Sequence, residues 1–145
     1  MFANRRVLHV DDDPSLLKIV HHRLKAFEIE TIPCERSSEI ADRLIEADCR
    51  TILLDIDMPS PDGLEVLRQL KQNDGGYHVV MLSGLVRMNI VLEAMRRGAE
   101  AFFFKPIEDI APLADALDAC FDRQQHWGEV LTELKRRKQL ETAAV

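Results

Sequence analysis

The chain has 145 residues, of which 46% are hydrophobic and 30% charged, a balance that suits one folded domain with a single core. Its formal net charge of -6 argues against binding nucleic acid or an anionic membrane by bulk attraction. No apolar run approaches the roughly 20 residues that span a bilayer. The acidic residues from Asp11 leave no room for a signal peptide, and the three cysteines form no CxxC pair, so we expect a reduced, cytoplasmic protein.

Five short apolar runs predict the strands of a parallel sheet. Four of them are almost continuous, which is typical of strands buried on both faces. The run at 30–32 is the weakest, and we expect it nearer an edge of the sheet. The five runs are Val7–Val10, Glu30–Ile32, Thr51–Leu54, Val79–Leu82 and Ala101–Phe104.

Between the runs, apolar residues recur with the period of a helix, and capping residues mark the helix ends. Strand and helix alternate five times, which predicts an α/β fold with a doubly wound, five-stranded parallel sheet and helices on both faces. The expected caps and stops are Asp13 with Pro14, Ser37 or Ser38, Asp62 with Glu65, Gly98, and Asp109 with Pro112.

The last stretch predicts a helical segment beyond the fifth helix. A heptad pattern places one seam on Leu117, Cys120, Gln124, Trp127, Leu131 and Leu134. Gly128 weakens a continuous helix there. The chain therefore divides into a domain at 5–122 and, at 123–145, an amphipathic helical tail or an extension of the last helix. A tail that folds onto its own domain or frays and a helix that pairs with another copy or a partner both stay open. The basic cluster at 136–138 is interpreted as a solvated helix face.

Polar residues follow four of the runs at their carboxyl ends, where open parallel sheets bind ligands. Asp11 and Asp12 follow the first run, Asp55 the third, Ser83 the fourth and Lys105 the fifth. Clustered carboxylates repel one another unless a cation such as Mg²⁺ offsets their charge. A lysine and a hydroxyl suit phosphoryl oxygens, and no glycine-rich phosphate loop follows the first run. The pattern favours a carboxylate nucleophile that takes a phosphoryl group.

Four motifs together resemble the receiver domain of two-component response regulators. They are RVLHVDDDPSLL at 6–17, TILLDIDMPSPDGLEVLRQLK at 51–71, HVVMLSG at 78–84 and GAEAFFFKP at 98–106. They occur in the family's order and spacing and cover about 5 to 122. The resemblance implies a CheY-like, flavodoxin-like fold and a phosphoacceptor module of a two-component phosphorelay. It implies no enzyme activity beyond self-phosphorylation and dephosphorylation.

The resemblance also implies a role for each residue of the acidic cluster. Asp55 is the expected phosphoacceptor, and Lys105 is the lysine that pairs with the phosphoryl group. Asp11, Asp12 and Asp55 are expected to hold Mg²⁺, with Asp12 favoured over Asp11 as a direct ligand. The backbone carbonyl of Asp57 is a further expected ligand.

Other positions are expected to control the response. Ser83 matches the hydroxyl that hydrogen-bonds the phosphoryl group, and with Phe102 it forms the expected switch. Asp57 occupies a position that tunes hydrolysis of the acyl phosphate, and Gly84 a position that leaves access to it open. Pro106 follows a peptide bond that is cis in this family.

The resemblance implies a histidine kinase or a histidine phosphotransfer protein as phosphoryl donor. It implies a downstream protein effector or a second copy as the target, with no direct contact to nucleic acid or membrane. A haloacid-dehalogenase-type phosphohydrolase using Asp55 and Asp57 is an alternative. It is disfavoured because that family begins with its DxD strand, whereas here the pair at 11 and 12 comes first. A third alternative is an interaction module that uses the carboxylates only as a structural Mg²⁺ site.

Overall fold

The computed structural model describes residues 4–59, 62–73 and 76–144. Ser60 and Pro61 of the second motif and Val145 of the predicted tail lie outside the described residues. In chain order the elements are β1 (Arg6–Val10), α1 (Pro14–Lys25), β2 (Glu30–Cys34), a 3₁₀ turn (Ser37–Glu39), α2 (Ile40–Ala47), β3 (Thr51–Asp55), α3 (Gly63–Gln72), β4 (His78–Ser83), α4 (Met88–Arg96), β5 (Ala101–Phe104) and α5 (Ala111–Ala143).

The five strands form one parallel sheet in the order β2-β1-β3-β4-β5, which confirms the predicted doubly wound fold. The weakest run becomes β2 and lies at an edge, as expected. Neighbouring residues of a strand enter different cores. Ile52 and Leu54 pack with α2, α3 and α4, whereas Leu53 packs with α1 and α5. This division explains why the central runs are continuous rather than alternating.

Most helix ends follow from local chemistry. Asp13 caps α1, accepting a hydrogen bond from the backbone N–H of Ser15 at 3.0 Å. Asp62 caps α3 in the same way, with Glu65 as the donor at 2.9 Å. Gly98 lies just beyond α4 with φ of 93°, a left-handed conformation that glycine adopts without strain.

The predicted serine cap of the second helix is wrong. Ser37 and Ser38 lie in the 3₁₀ turn, and α2 begins only at Ile40, without a side-chain cap. The chain therefore enters this helix through a tighter turn, a common connector at helix starts.

α5 is a continuous helix of 33 residues, about 50 Å long at 1.5 Å per residue. Its last fully buried residue is Phe121, and Gly128 does not interrupt it. Within the described ranges, no helix combines the length and the hydrophobicity that a bilayer crossing requires. The three cysteines are buried and unpaired.

Candidate functional site

The fold brings the polar strand-end residues of the sequence prediction to one rim of the sheet. Asp11 follows β1, Asp55 ends β3, Ser83 ends β4 and Lys105 follows β5. All of these strands are parallel, so their carboxyl ends share one edge. Three of these side chains, Asp11, Asp55 and Ser83, are almost completely buried.

Lys105 lies between the two buried carboxylates. Its Nζ is 2.9 Å from Oδ1 of Asp55 and 3.0 Å from Oδ2 of Asp11. Burial lowers the pKa of Lys105, but the hydrogen bonds and charges of the two carboxylates outweigh burial and raise it overall. The lysine therefore stays protonated and offsets part of the negative charge at the rim.

Asp11, Asp12 and Asp55 together can offer a divalent cation three oxygen ligands, because one carboxylate oxygen of each lies within 4.8 Å of the others. Oδ2 of Asp11 is buried and, among the described residues, has no polar partner beyond its ion pair with Lys105. Asp12 is exposed and faces solvent. Such a set of hard oxygen donors with an open side fits Mg²⁺.

The electrostatics of Asp55 reflect this crowding. Burial raises the pKa of Asp55, and the charge of Asp11 raises it further. The backbone N–H of Asp57, at 3.0 Å from Oδ1, and the ammonium of Lys105 oppose that rise without cancelling it. The positive charge near Asp55 is thus too small to balance the negative charge of the ionised carboxylates.

Asp57 contacts the next strand with both carboxylate oxygens. Ser83 donates its hydroxyl to Oδ1 at 2.8 Å, and the backbone N–H of Gly84 donates to Oδ2 at 2.7 Å. Ser83 Oγ also accepts the N–H of Leu85 at 2.9 Å, so the hydroxyl is fixed at the start of the β4–α4 loop. The carboxylate of Asp57 therefore accepts hydrogen bonds from two donors that lie beside Asp55.

The contacts of the Asp57 side chain were missed in the sequence analysis, which assigned to Asp57 only a carbonyl ligand and a modulatory position. The signal that could have revealed them is the register of β3 and β4, which pairs Asp55 with Leu82. That register carries the residues after Asp55 toward Ser83 and Gly84.

Phe102 lies one layer below the rim. It is half-buried in β5, and its ring centroid is 5.3 Å from that of Phe104. Its register partner in β4 is Met81, whereas Ser83 pairs with Phe104. The rim itself ends at the Lys105–Pro106 bond, which is cis as expected.

Gly63 closes the site from the side of α3. A Cβ at this position would lie 2.6 Å from Cα of Ile56 and would collide with the carbonyl oxygen of Asp55. The first turn of α3 therefore rests directly on the backbone that follows the candidate phosphoacceptor, a close approach that glycine permits.

A family model described as "Response regulator receiver domain" matches residues 7–118. The chain belongs to this family. Receiver domains are phosphoacceptor signalling modules of two-component systems, so the phosphohydrolase alternative is not favoured.

The relatives of this receiver include small and large proteins. Chemotaxis protein CheY of Listeria monocytogenes is 30% identical over 104 residues, covering 71% of this chain and 87% of CheY. The C4-dicarboxylate transport transcriptional regulatory protein DctD of Pseudomonas aeruginosa is 32% identical over 115 residues. That alignment covers 77% of this chain, which spans only 24% of the length of DctD.

Solved structures share the fold of this receiver. The signal receiver domain of a putative Luxo repressor protein from Vibrio parahaemolyticus has a TM-score of 0.78 at 24% identity, covering 86% of this chain and 95% of that one. The beryllofluoride-activated NtrC4 receiver domain dimer has a TM-score of 0.75 at 23% identity, with coverages of 83% and 98%. These likenesses establish the architecture of the domain at 7–118.

Proposed function

We propose that this receiver accepts a phosphoryl group on Asp55 from the phosphohistidine of a histidine kinase or a histidine phosphotransfer protein. The observation that carries the proposal is the ammonium of Lys105, which lies within 3.0 Å of both Asp55 and Asp11 beside the exposed Asp12. A buried carboxylate with an adjacent cation and an open, oxygen-lined side suits phosphoryl transfer.

In the proposed reaction, a carboxylate oxygen of Asp55 attacks phosphorus, the O–P bond forms, and the N–P bond of the donor breaks. The electron pair of that bond returns to the imidazole of the donor. Lys105 keeps its proton and pairs with the phosphoryl oxygens, which replace part of its contact with Asp55. The chain thus contributes placement and charge, and water later hydrolyses the acyl phosphate.

Mg²⁺ is the proposed cofactor, held by the carboxylates of Asp11, Asp12 and Asp55 and by the backbone carbonyl of Asp57. The close carboxylate oxygens and the buried Oδ2 of Asp11 support this assignment. When bound, the ion supplies neutralisation of the negative charge on the carboxylates and phosphoryl oxygens.

Ser83 and Phe102 are the proposed switch, and Asp57 and Gly84 the proposed modulators. Before phosphorylation, the Asp57 carboxylate holds the Ser83 hydroxyl and the Gly84 N–H. A phosphoryl oxygen on Asp55 competes for the same donors, so Asp57 must release Ser83 before the β4–α4 loop can follow the phosphoryl group. Phe102 then repacks by apolar contact alone because it carries no hydroxyl.

The proposed role is that of a cytoplasmic regulator rather than an enzyme acting on a separate substrate. Three unpaired, buried cysteines support a reducing compartment. Its proposed partners are the phosphoryl donor and a downstream protein effector or a second copy of the chain, with no direct contact to nucleic acid or membrane. The proposed division is a receiver domain at 5–122 and an extension at 123–145.

Incubation with acetyl phosphate and Mg²⁺, followed by intact mass spectrometry, tests the proposal. The chain should gain one labile phosphoryl group, and a chelator should prevent the gain. Asp55→Asn should gain none, whereas the matched control Asp48→Asn, at the opposite end of the sheet, should behave as the wild type. Turnover of acetyl phosphate without a labile adduct would instead indicate a hydrolase, and no reaction at all would indicate an interaction module.

A further inference from the structure

A cavity of about 360 Å³ lies between α1 and the edge of the sheet that β1 and β2 form, and we call it the α1–β2 cavity. Its volume falls at the lower end of the range for small-molecule sites, roughly 300–1,000 Å³. The buried residues of its lining are His9, Leu17 and Thr31. Pro14 and Pro33 line it from exposed positions, so the cavity reaches from the interior to the surface.

A hydrogen bond connects the two walls of the cavity. Nδ1 of His21 on α1 lies 2.7 Å from Oγ1 of Thr31 on β2, and both residues belong to the lining. The rings of Pro14 and Pro33 add rigid backbone to the helix wall and to the sheet wall. The cavity is therefore largely formed before any ligand arrives, which is usual for small-molecule sites.

His9 is the polar residue of the cavity that the fold leaves unsatisfied. It is 1% exposed, and neither of its ring nitrogens has a hydrogen-bond partner among the described residues. Burial, with a smaller contribution from the positive charge of Lys105, lowers the pKa of His9 to about 3. The neutral ring offers one N–H donor and one nitrogen acceptor. A buried polar group without a partner is unfavourable, so a ligand that bonds to His9 would recover that cost.

The other lining residues limit the chemistry of the ligand. Thr31 is already bonded to His21, so His9 is the polar group of the buried lining that remains available. The charged lining residues, Lys18 and Glu35, are both exposed. A charged ligand group in the buried part of the cavity would lose its water without gaining a charged partner from the lining. The buried part therefore suits an uncharged molecule with an apolar body and one hydrogen-bonding group.

We propose that the α1–β2 cavity is a binding site for a small, uncharged, mainly apolar molecule whose hydroxyl or N–H group hydrogen-bonds to His9. The acceptor nitrogen of His9 takes this hydrogen bond, and Leu17 and Pro33 contact the apolar body. The site differs from the rim of the sheet in what the fold leaves unsatisfied: negative charge at the rim, and a neutral hydrogen-bonding group in the cavity. The ligand is thus of another class than Mg²⁺ or a phosphoryl group.

Titration of the isotope-labelled chain with para-cresol, followed by NMR chemical shifts, tests the site. This probe is an apolar ring with one hydroxyl and is uncharged at neutral pH. Binding should be saturable, and the largest shifts should come from the backbone amides of Leu17, His21 and Thr31. Toluene has the same ring and methyl group without the hydroxyl. It should bind about fivefold more weakly, because it makes no hydrogen bond to His9.

His9→Phe tests the residue assigned to the hydrogen bond. Phenylalanine keeps an aromatic ring and removes two unpaired polar atoms from the interior, so we expect the variant to fold, which circular dichroism checks. Its affinity for para-cresol should fall about fivefold and become equal to its affinity for toluene. The matched control His126→Phe replaces an exposed histidine of α5 and should leave both affinities unchanged.

Several outcomes would overturn the proposal. A cavity that holds only water would give no saturable binding of para-cresol. Equal affinity of the wild type for para-cresol and toluene, or the largest shifts at residues away from the cavity, would contradict the assigned site without any variant. A preference for para-cresol that persists in His9→Phe would contradict the role of His9. The titrations contain neither Mg²⁺ nor phosphodonor, so their outcome is separate from that of the Asp55 reaction.

Discussion

The pKa of a carboxylate shifts in opposite directions at the two ends of the sheet. At the amino ends of the strands, Glu100 is surrounded by three cationic or protonatable groups: His78 at 3.1 Å, Lys71 at 3.8 Å and Arg123. Burial alone would raise the pKa of Glu100, but these neighbours outweigh burial and lower it. At the carboxyl ends, burial and Asp11 raise the pKa of Asp55.

This contrast separates a structural charge cluster from a binding site. Glu100 contacts side chains of α3, β4 and α5. Its negative charge is balanced by these neighbours, so it holds α5 against the sheet. The candidate metal cluster at the rim has three carboxylates, and Lys105 is the cation between two of them, so the negative charge of the cluster is not fully balanced. Charge left unbalanced by the fold is where a cation and a phosphoryl group are expected to act.

Lys105→Met should produce the largest change. We expect the initial rate of phosphorylation by acetyl phosphate to fall by about 100-fold, because the ammonium that faces the phosphoryl oxygens is lost. Quantitative intact mass at early times measures this rate. Lys71→Met removes a lysine from the opposite end and should leave the rate unchanged. An equal loss in both variants would show that the two ends do not differ as proposed.

Glu100→Gln should act on stability alone. We expect a loss of roughly 1–2 kcal/mol in the free energy of unfolding, because Lys71, His78 and Arg123 lose their common partner. Urea denaturation measures the loss, and the phosphorylation rate should stay at the wild-type value. Glu129→Gln, at an exposed position without a salt bridge among the described residues, serves as the control. A slowed reaction in Glu100→Gln would mean that the amino end also shapes the site.

Asp57→Ala should strengthen the binding of a phosphoryl mimic. Removing the carboxylate frees the Ser83 hydroxyl and the Gly84 N–H, and a net hydrogen-bond contribution of about 1 kcal/mol corresponds to a roughly fivefold gain in beryllofluoride affinity. Calorimetric titration with Mg²⁺ present measures the affinity. Asp115→Ala, which removes another exposed acid, should have no such effect, and weaker binding in Asp57→Ala would contradict a competing role for Asp57.

The smallest effect concerns pH. Because the folded pKa of Asp55 is raised, the folded chain binds more protons than the unfolded chain between the ordinary aspartate pKa, about 3.9, and that raised value. The contribution of Asp55 to stability is therefore lost as the pH rises through this window. In a chelator, the stability of Asp55→Asn relative to the wild type should increase from pH 4 to pH 7, as thermal unfolding can record. A difference that is constant with pH would contradict the raised pKa.

The sequence predicted the sheet and the rim because both depend on local patterns. Continuous apolar runs require two-sided burial, and residues that follow parallel strands must share an edge. The side-chain arrangement of Asp57 was not predictable in this way, because a carboxylate two residues after a strand can point to solvent or to the next strand. The start of α2 was also missed, because serines favour helix caps and tight turns alike. The heptad pattern indicated the extension, but the pattern could not decide whether Gly128 would break it.

α5 begins beside the rim and ends far beyond the opposite edge of the sheet. Because the helix is long, a tilt of about 5° over its length of about 50 Å displaces its far end by about 4 Å. An adjustment too slight to alter the core could thus become a shift of nearly one helical turn at the tip. The distance between the two ends of the molecule would then amplify the signal.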